Sequence, residues 1–316
     1  MRLANPFRLR QAGTLCMNAR NHAFIHAYNP REFYPRVDDK LRTKLLARRI
    51  GLAVPRLIGV VRCNRQIRDV PALLKDETEF VIKPANGSGG KGILVIVGRG
   101  EKGEYVKSNG ETFDDAEMFR HVSNMLSGLY SLGGQPDCAM IEQYVHFTSA
   151  FEGYSHQGVP DVRVIVFLGY PVMAMMRCST ADSDGKANLH QGAVGVGIDL
   201  VTGRARQAVQ YNRLVARHPD TGRVFAGLAV PEWDRHLLLA TRCYEMTRLG
   251  YFGADVVLDR DHGPMILELN ARPGLAIQIA NGVGLLPRLK RIEQLDNEFP
   301  PPPEQRVAFA KSAFAT

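Results

Sequence analysis

Apolar residues recur along the chain in two rhythms, and their alternation predicts its elements. In Arg36–Gly51, Leu41, Leu45 and Leu46 fall on helical spacing, with Asp38 and Asp39 at the start, cations toward the end and Gly51 as the stop, the pattern of a capped helix. Leu52–Val61, Phe80–Lys83, Ile93–Val97 and Ala139–Val145 are short, β-branched-rich runs separated by turn residues, and Asp114–Leu132 returns to helical spacing, so strands and helices alternate through the first half. Further on, Val162–Phe167 and Pro171–Arg177 meet at Leu168-Gly-Tyr170, and Gly253–Leu258 and Met265–Leu269 meet across Asp259–Pro264. Both read as hairpins. Glu232–Leu249 reads as a helix between them, and the proline-rich stretch Pro300–Glu304 as irregular and exposed. Antiparallel pairs flanked by helices predict α+β lobes rather than a doubly wound parallel sheet.

Composition narrows the class. With 316 residues, 45% hydrophobic and 23% charged, the chain is long enough for a substantial core, which excludes disordered, collagenous and mini-protein classes. At about 150 residues per domain, two lobes are expected. Forty Lys and Arg against 32 Asp and Glu give a net charge of +8, which favours anionic partners. No aromatic-basic interleaving accompanies it, so nucleic acid is not an expected partner. Cys16, Cys63, Cys138, Cys178 and Cys243 are odd in number and widely spaced, indicating neither a disulfide framework nor a zinc site and suiting a reducing cytoplasm. The N-terminus alternates charged with apolar residues rather than forming a signal peptide, and Val164–Met176, interrupted by Gly169 and Pro171, is too short for a membrane span. The expectation is a cytoplasmic protein with no membrane span.

Three segments carry candidate chemistry. Phe80–Lys83 is followed by Pro-Ala-Asn-Gly-Ser-Gly-Gly-Lys-Gly92 and then by Ile93–Val97. Glycines let several amides face one anion. Gly87-x-Gly89-x-x-Gly92 matches the dinucleotide spacing, but a strand follows where that motif needs a helix, and a Walker A loop fails on Ala85 and Gly92. A flap between two strands that closes over phosphates remains; the plainer alternative is a glycine-rich hairpin turn without ligand. In the second segment Glu268 and Asn270 lie two apart on one strand face, where Asp255 can lie opposite. Two carboxylates and an amide oxygen suit Mg²⁺, although any amphipathic strand shows period-two polarity. The third joins Asp161 and Arg163, Arg177, and the loop Asn188-Leu-His190. Arginines there can stabilise charge on a transferring phosphate, though each alone fits a surface ion pair and His190 an ordinary loop position.

In sequence order, Asp39-Lys-Leu-Arg-x-x-Leu-Leu-Ala47, Ile82-Lys-Pro…Gly-Ser-Gly-Gly-Lys-Gly92, Ile141-Glu-Gln-Tyr-Val145, Asp161-x-Arg163…Asn188-Leu-His190 and Gly253-Ala-Asp255…Glu268-x-Asn270-x-x-Pro-Gly274 resemble the ATP-grasp superfamily, specifically its α-L-glutamate-ligase-like, RimK-related members. The resemblance spans about Asp39 to Gly284. Met17-Asn-Ala-Arg-Asn21 and Gly274-Leu-Ala-Ile-Gln278 look more like the ligase-homologue and sugar-transfer-associated branches.

The resemblance implies two α+β lobes clamping ATP: a short segment 1–38 in place of a full preceding domain, an N-terminal lobe 39–146 with the glycine flap, and a C-terminal lobe 147–316 with the metal site. It implies that Lys40, Lys83 and the flap residues Ser88, Gly89 and Gly90 meet the phosphates, that Gln143, Tyr144 and Val145 line the adenine with Glu142 nearby, and that Asp161 sits near the ribose. Asn188 would lie near phosphate and metal, Asp255, Glu268 and Asn270 would hold Mg²⁺ or Mn²⁺, and Arg163 and Arg272, with His190 beside them, would act on the transferred phosphoryl group. The implied reaction is ATP-dependent joining of a carboxylate substrate to an amine acceptor through an acyl phosphate, with ADP and phosphate released. Glutamate or another amino acid would be added to a peptide, protein or small amine, with no protein nucleophile, and a homo-oligomer is compatible. Two other readings stay open: a regulatory or scaffold protein that holds ATP, and a kinase-like member ending at a phosphorylated product. The gap from Tyr144 to Asp161 is longer than in the RimK pattern and holds Phe147–Tyr154, a candidate substrate or partner loop or an exposed insertion, and Arg272, small in RimK, is an alternative contact for a substrate carboxylate.

Overall fold

The computed structural model describes residues 5–87, 89–295 and 299–315. The chain forms two compact units, one of residues 39–44 and 54–146, the other of residues 1–38, 45–53 and 147–316. Among the described residues no helix is long and apolar enough to cross a membrane, and all five cysteines are free.

In the smaller unit β1 (Leu57–Val61), β2 (Phe80–Pro84), β3 (Leu94–Arg99), β4 (Tyr105–Lys107), β5 (Thr112–Phe113) and β6 (Ala139–Gln143) form one antiparallel sheet in the order β1-β6-β2-β3-β4-β5. The helix Asp115–Leu126 opens with a capping box between Asp114 and Glu117 and packs Met118, Val122 and Met125 against Phe80, Ile82 and Ile96. It stops short of the predicted Leu132 because Gly128 turns the chain at φ 85°, where a Cβ would come within 2.3 Å of the Gln135 carbonyl.

In the larger unit β7 (Asp161–Phe167), β8 (Tyr170–Cys178), β9 (Val194–Ile198), β10 (Ala205–Gln210), β11 (Arg213–Val215), β12 (Tyr251–Asp259) and β13 (Gly263–Asn270) form an antiparallel sheet ordered β11-β10-β9-β8-β7-β12-β13. Both expected hairpins are present, the first turning through Leu168 and Gly169 at positive φ. The helix Trp233–Thr247 buries Leu237, Ala240 and Cys243. β9 has no strand signal because glycine fills alternate positions. At Gly197 the reason is steric: a Cβ would lie 2.3 Å from the Ala280 carbonyl in the helix Ala276–Asn281.

The ends of the chain depart from expectation. Pro300–Glu304 does not stay irregular throughout, because Pro303 begins a helix, Pro303–Ala313, and proline suits a first helical turn. That helix buries Arg306, which pairs with Glu245 and donates to the Gly169 carbonyl at 3.2 Å. At the other end, Phe24 packs edge-on against Phe167 at 5.5 Å, and Asn29 bonds both the amide and the carbonyl of Tyr251. Phe147–Tyr154 is no loose insertion, since Phe151 and Tyr154 are buried and Tyr154 stacks on Phe225 at 6.0 Å.

Candidate functional site: two charged clusters

Candidate residues gather separately in each unit. In the smaller one, register places Lys83 opposite Met140 and Val81 opposite Glu142, so Lys83 and Glu142 are diagonal neighbours on one sheet face. Lys83 Nζ lies 2.7 Å from Glu142 Oε1, and Lys44 donates to Oε2 at 2.8 Å and to the Pro55 carbonyl at 2.5 Å. All three side chains are at least nine-tenths buried. Burial would raise the Glu142 carboxyl, but the charges of Lys83 and Lys44 outweigh it and hold the carboxyl below its ordinary range. Two ammonium groups thus share one carboxylate. An ammonium has three donors, so Lys83 keeps capacity for an anion.

Lys44 has no role in the sequence reading. It sits four residues after Lys40, one turn further along the helix Lys40–Arg49, and a lysine buried beside Leu41 was the available signal. Lys40 donates to the Gly87 carbonyl at 2.6 Å. Asp137, also missed, secures the start of the flap by accepting from the Asn86 amide and side chain at 2.9 and 2.8 Å and from Ser131 at 2.6 Å. Gly89 and Gly90 adopt positive φ, and Gly89 has open space where a Cβ would be, which leaves the backbone unobstructed toward an anion. Ser88 lies outside the described residues. Gln143 bonds the Arg56 amide at 3.1 Å, Tyr144 is half-buried edge-on to His146, and Val145 is buried.

In the larger unit one sheet face carries a row of charge across three strands. Asp255 on β12 faces Glu268 on β13 and Arg163 on β7 in direct register. Arg163 grips Asp255 two-pronged at 2.7 and 2.6 Å. Arg177 on β8 grips Asp161 in the same way at 2.6 Å and donates a further 2.6 Å bond to Asp255 Oδ2. Burial would raise the Asp255 carboxyl, yet Arg163 and Arg177 outweigh it and hold it low. Asp161 has one arginine and a carboxylate neighbour, so burial and the Asp255 charge push it up to about 6 against the pull of Arg177. Arg177, grouped with these residues in the sequence but given no role, joins the two acids.

Other expected members stand apart. Asp161, expected near a ribose, gives both oxygens to Arg177. Arg272 is exposed, lies over the Tyr34 ring and reaches Asp38 at 3.3 Å rather than entering the row. Asn188 caps the turn Leu189–Gln191 by accepting from the His190 amide at 3.0 Å, and the His190 side chain is exposed. Asn270 accepts from the Arg272 amide at 2.8 Å and occupies the same face as Glu268 and Asp255. Among the described residues no three His, Cys, Asp or Glu side chains are grouped to hold a metal. The expected trio contains only two carboxylates. Its oxygens nonetheless suit a hard cation that keeps waters and shares phosphate oxygens, because Asp255 Oδ1 accepts a single hydrogen bond and Asn270 contributes an amide oxygen.

The model of the sugar-transfer associated ATP-grasp family matches residues 19–294. The chain belongs to that family. Both units of this ATP-grasp chain are α+β, as the resemblance implied. Among solved structures it is similar to the ATP-grasp ligase PsnB complexed with a phosphomimetic variant of a minimal precursor, Mg and ADP, with 16% identity over 84% of this chain and 60% of that one, TM-score 0.46. It is similar to the D-cycloserine synthetase DcsG, with 16% identity over 84% and 72%, TM-score 0.48. A third is D-alanyl-alanine synthetase A from Vibrio cholerae O1 biovar eltor, with 11% identity over 90% and 66%, TM-score 0.47. The chain thus spans about 60% of the PsnB structures. No curated protein matches the sequence.

Two outcomes follow from the clusters. Glu142→Ala leaves two buried ammonium groups without their shared counter-charge and should cost about 3–5 kcal/mol in chemical denaturation, more than Lys44→Met, which leaves the Lys83–Glu142 pair; a cost below about 1 kcal/mol contradicts the cluster. Asp161 titrates near 6 when folded against 3.8 unperturbed, so its contribution is present below about 4 and lost as pH rises through about 6. The stability of the wild type relative to Asp161→Asn should therefore fall between pH 4 and 6 in urea melts, and a rise across that window contradicts the assignment.

Proposed function

We propose that the chain is an ATP- and Mg²⁺-dependent ligase that joins a carboxylate to an amine. The γ-phosphoryl group passes to a carboxylate oxygen, the amine attacks the acyl carbon, and the amide forms as phosphate leaves and the amine loses a proton. The observation that carries the reading is the Glu268–Asp255–Arg163 row on one sheet face, in a chain whose family match covers residues 19–294. Phosphoryl transfer needs positioning and charge stabilisation rather than a protein nucleophile.

The residues divide the task. Arg163, held flat against Asp255, presents a guanidinium whose orientation is set before substrate arrives, and that pre-orientation is what favours charge developing in a transition state. Arg177 ties Asp161 to Asp255 and positions both; Asp161 is better read as this brace than as a ribose contact. Lys83 and Lys40 supply cations for phosphates, and Gly89 and Gly90 supply amides. Glu268, Asn270 and Asp255 would hold Mg²⁺, or Mn²⁺ in its place. When bound, the ion screens phosphate charge. An amino acid such as glutamate is the proposed carboxylate or amine, with a peptide, protein or small amine as its partner.

ADP release with Mg-ATP across paired carboxylates and amines checks this. Release stimulated only when both are present is the expected result. Glu268→Ala and Lys83→Ala should each lower it by roughly 10²-fold or more while circular dichroism stays unchanged. Amine-independent release with phosphate retained on the acceptor would favour a kinase-like reaction instead, and ATP binding without release for any pair would favour a scaffold.

A further inference from the structure

The segment Met17–Asn21 and the turn Pro273–Gln278 take no part in the ligase chemistry described above, yet the fold brings them together. Gln278 bonds both the amide and the carbonyl of Leu15 at 2.8 and 3.1 Å. Arg20 Nη1 donates to the Pro273 carbonyl at 2.8 Å across 253 residues of sequence. Pro273 in turn covers Gly253, where a Cβ would come within 3.0 Å of Pro273 Cβ and 3.6 Å of Arg163 Nε. Arg20 therefore reaches the charged row through Pro273 and Gly253, within the same unit.

The charge state of Arg20 sets it apart. Arg163 and Arg177 are neutralised by Asp255 and Asp161, and Arg272 reaches Asp38. Arg20 is half-buried and bonds only neutral oxygens among the described residues, the Pro273 carbonyl and, at 3.0 and 2.7 Å, the side-chain oxygen of Asn21. These three bonds fix the guanidinium plane and leave one N–H on each terminal nitrogen, two donors available to oxyanion oxygens. A second observation lies beside it. Tyr251 stands two and four residues before Gly253 and Asp255, on their sheet face, and its buried hydroxyl has no hydrogen-bond partner. Burial raises that phenol, and the Arg20 charge pulls against the rise. Arg20 also opens a widened helical turn, Arg20–His26, a geometry frequent at functional sites.

We propose that Arg20 anchors an oxyanion, a carboxylate or a phosphate, on the substrate that is not the nucleotide. This rests on the ligase reading for the meaning of the site but is tested without turnover. The measurement is calorimetric titration of the nucleotide-free protein with L-glutamate, succinate and glucose 1-phosphate, for the wild type, Arg20→Gln and Arg20→Lys, with Mg-ATP titrated in parallel.

Wild type should bind at least one probe, and which probe separates carboxylate from phosphate. Arg20→Gln should weaken that binding about 10-fold or more. Arg20→Lys keeps the charge and a donor for the Pro273 carbonyl but loses the fork, so it should fall between. Mg-ATP affinity should stay within about two-fold in all three. The proposal is overturned if Arg20→Gln binds the probe as the wild type does, if the wild type binds none at 10 mM, or if both variants lose Mg-ATP affinity equally, which would make Arg20 a clamp for the fold alone. Arg20-dependent oxyanion binding in a protein that shows no carboxylate- and amine-dependent ADP release would sink the ligase reading and leave this inference standing.

Discussion

The two-pronged contact of Arg163 with Asp255 is the interaction on which the larger unit's row of buried charge depends. Both groups are buried in the middle of an antiparallel sheet, where an isolated charge of either sign would be prohibitive. Each makes the other tolerable, and Arg177 extends the compensation to Asp161. Such a network is weak evidence for stability, because apolar residues could fill the same space without desolvating ions. It is better understood through what it orients: a fixed guanidinium and two carboxylates on neighbouring strands, set by backbone register rather than by flexible side chains.

The smaller unit solves a related problem with the opposite sign. Lys83 and Lys44 share Glu142, so two buried cations are held by one carboxylate. The glycine flap that follows β2 starts from a backbone secured by Asp137, and Gly89 and Gly90 adopt positive φ. In each unit the candidate residues stand on sheet strands or on a short turn at a strand end, the usual division between scaffold and site.

Much of this was legible in the sequence where a local pattern carried it. The two hairpins follow from period-two alternation around Gly169 and around Asp259–Pro264, and the opposition of Asp255 to Glu268 follows from the second hairpin alone. Contacts that depend on non-neighbouring strands were not legible. The bond of Arg177 to Asp255 requires the β8-β7-β12 order, and Arg272, adjacent to the acidic strand in sequence, turns outward to Asp38. β9 escaped because glycine fills its alternate positions, Gly197 among them making room for the helix Ala276–Asn281, and the helix Pro303–Ala313 escaped because its buried Arg306 looks polar until Glu245 and Gly169 are placed around it. Arg20 meets Pro273 only through tertiary packing that no local spacing encodes.

The central claim is that a substrate carboxylate takes the phosphoryl group before the amine attacks. Turnover of a carboxylate labelled with ¹⁸O on both oxygens, followed by mass analysis of the released phosphate, tests it most directly. One ¹⁸O atom in each inorganic phosphate is the predicted result, because the oxygen that accepts the phosphoryl group departs with it. Unlabelled phosphate with the amide formed, or label found only in the unreacted carboxylate while ATP is consumed, would contradict the account.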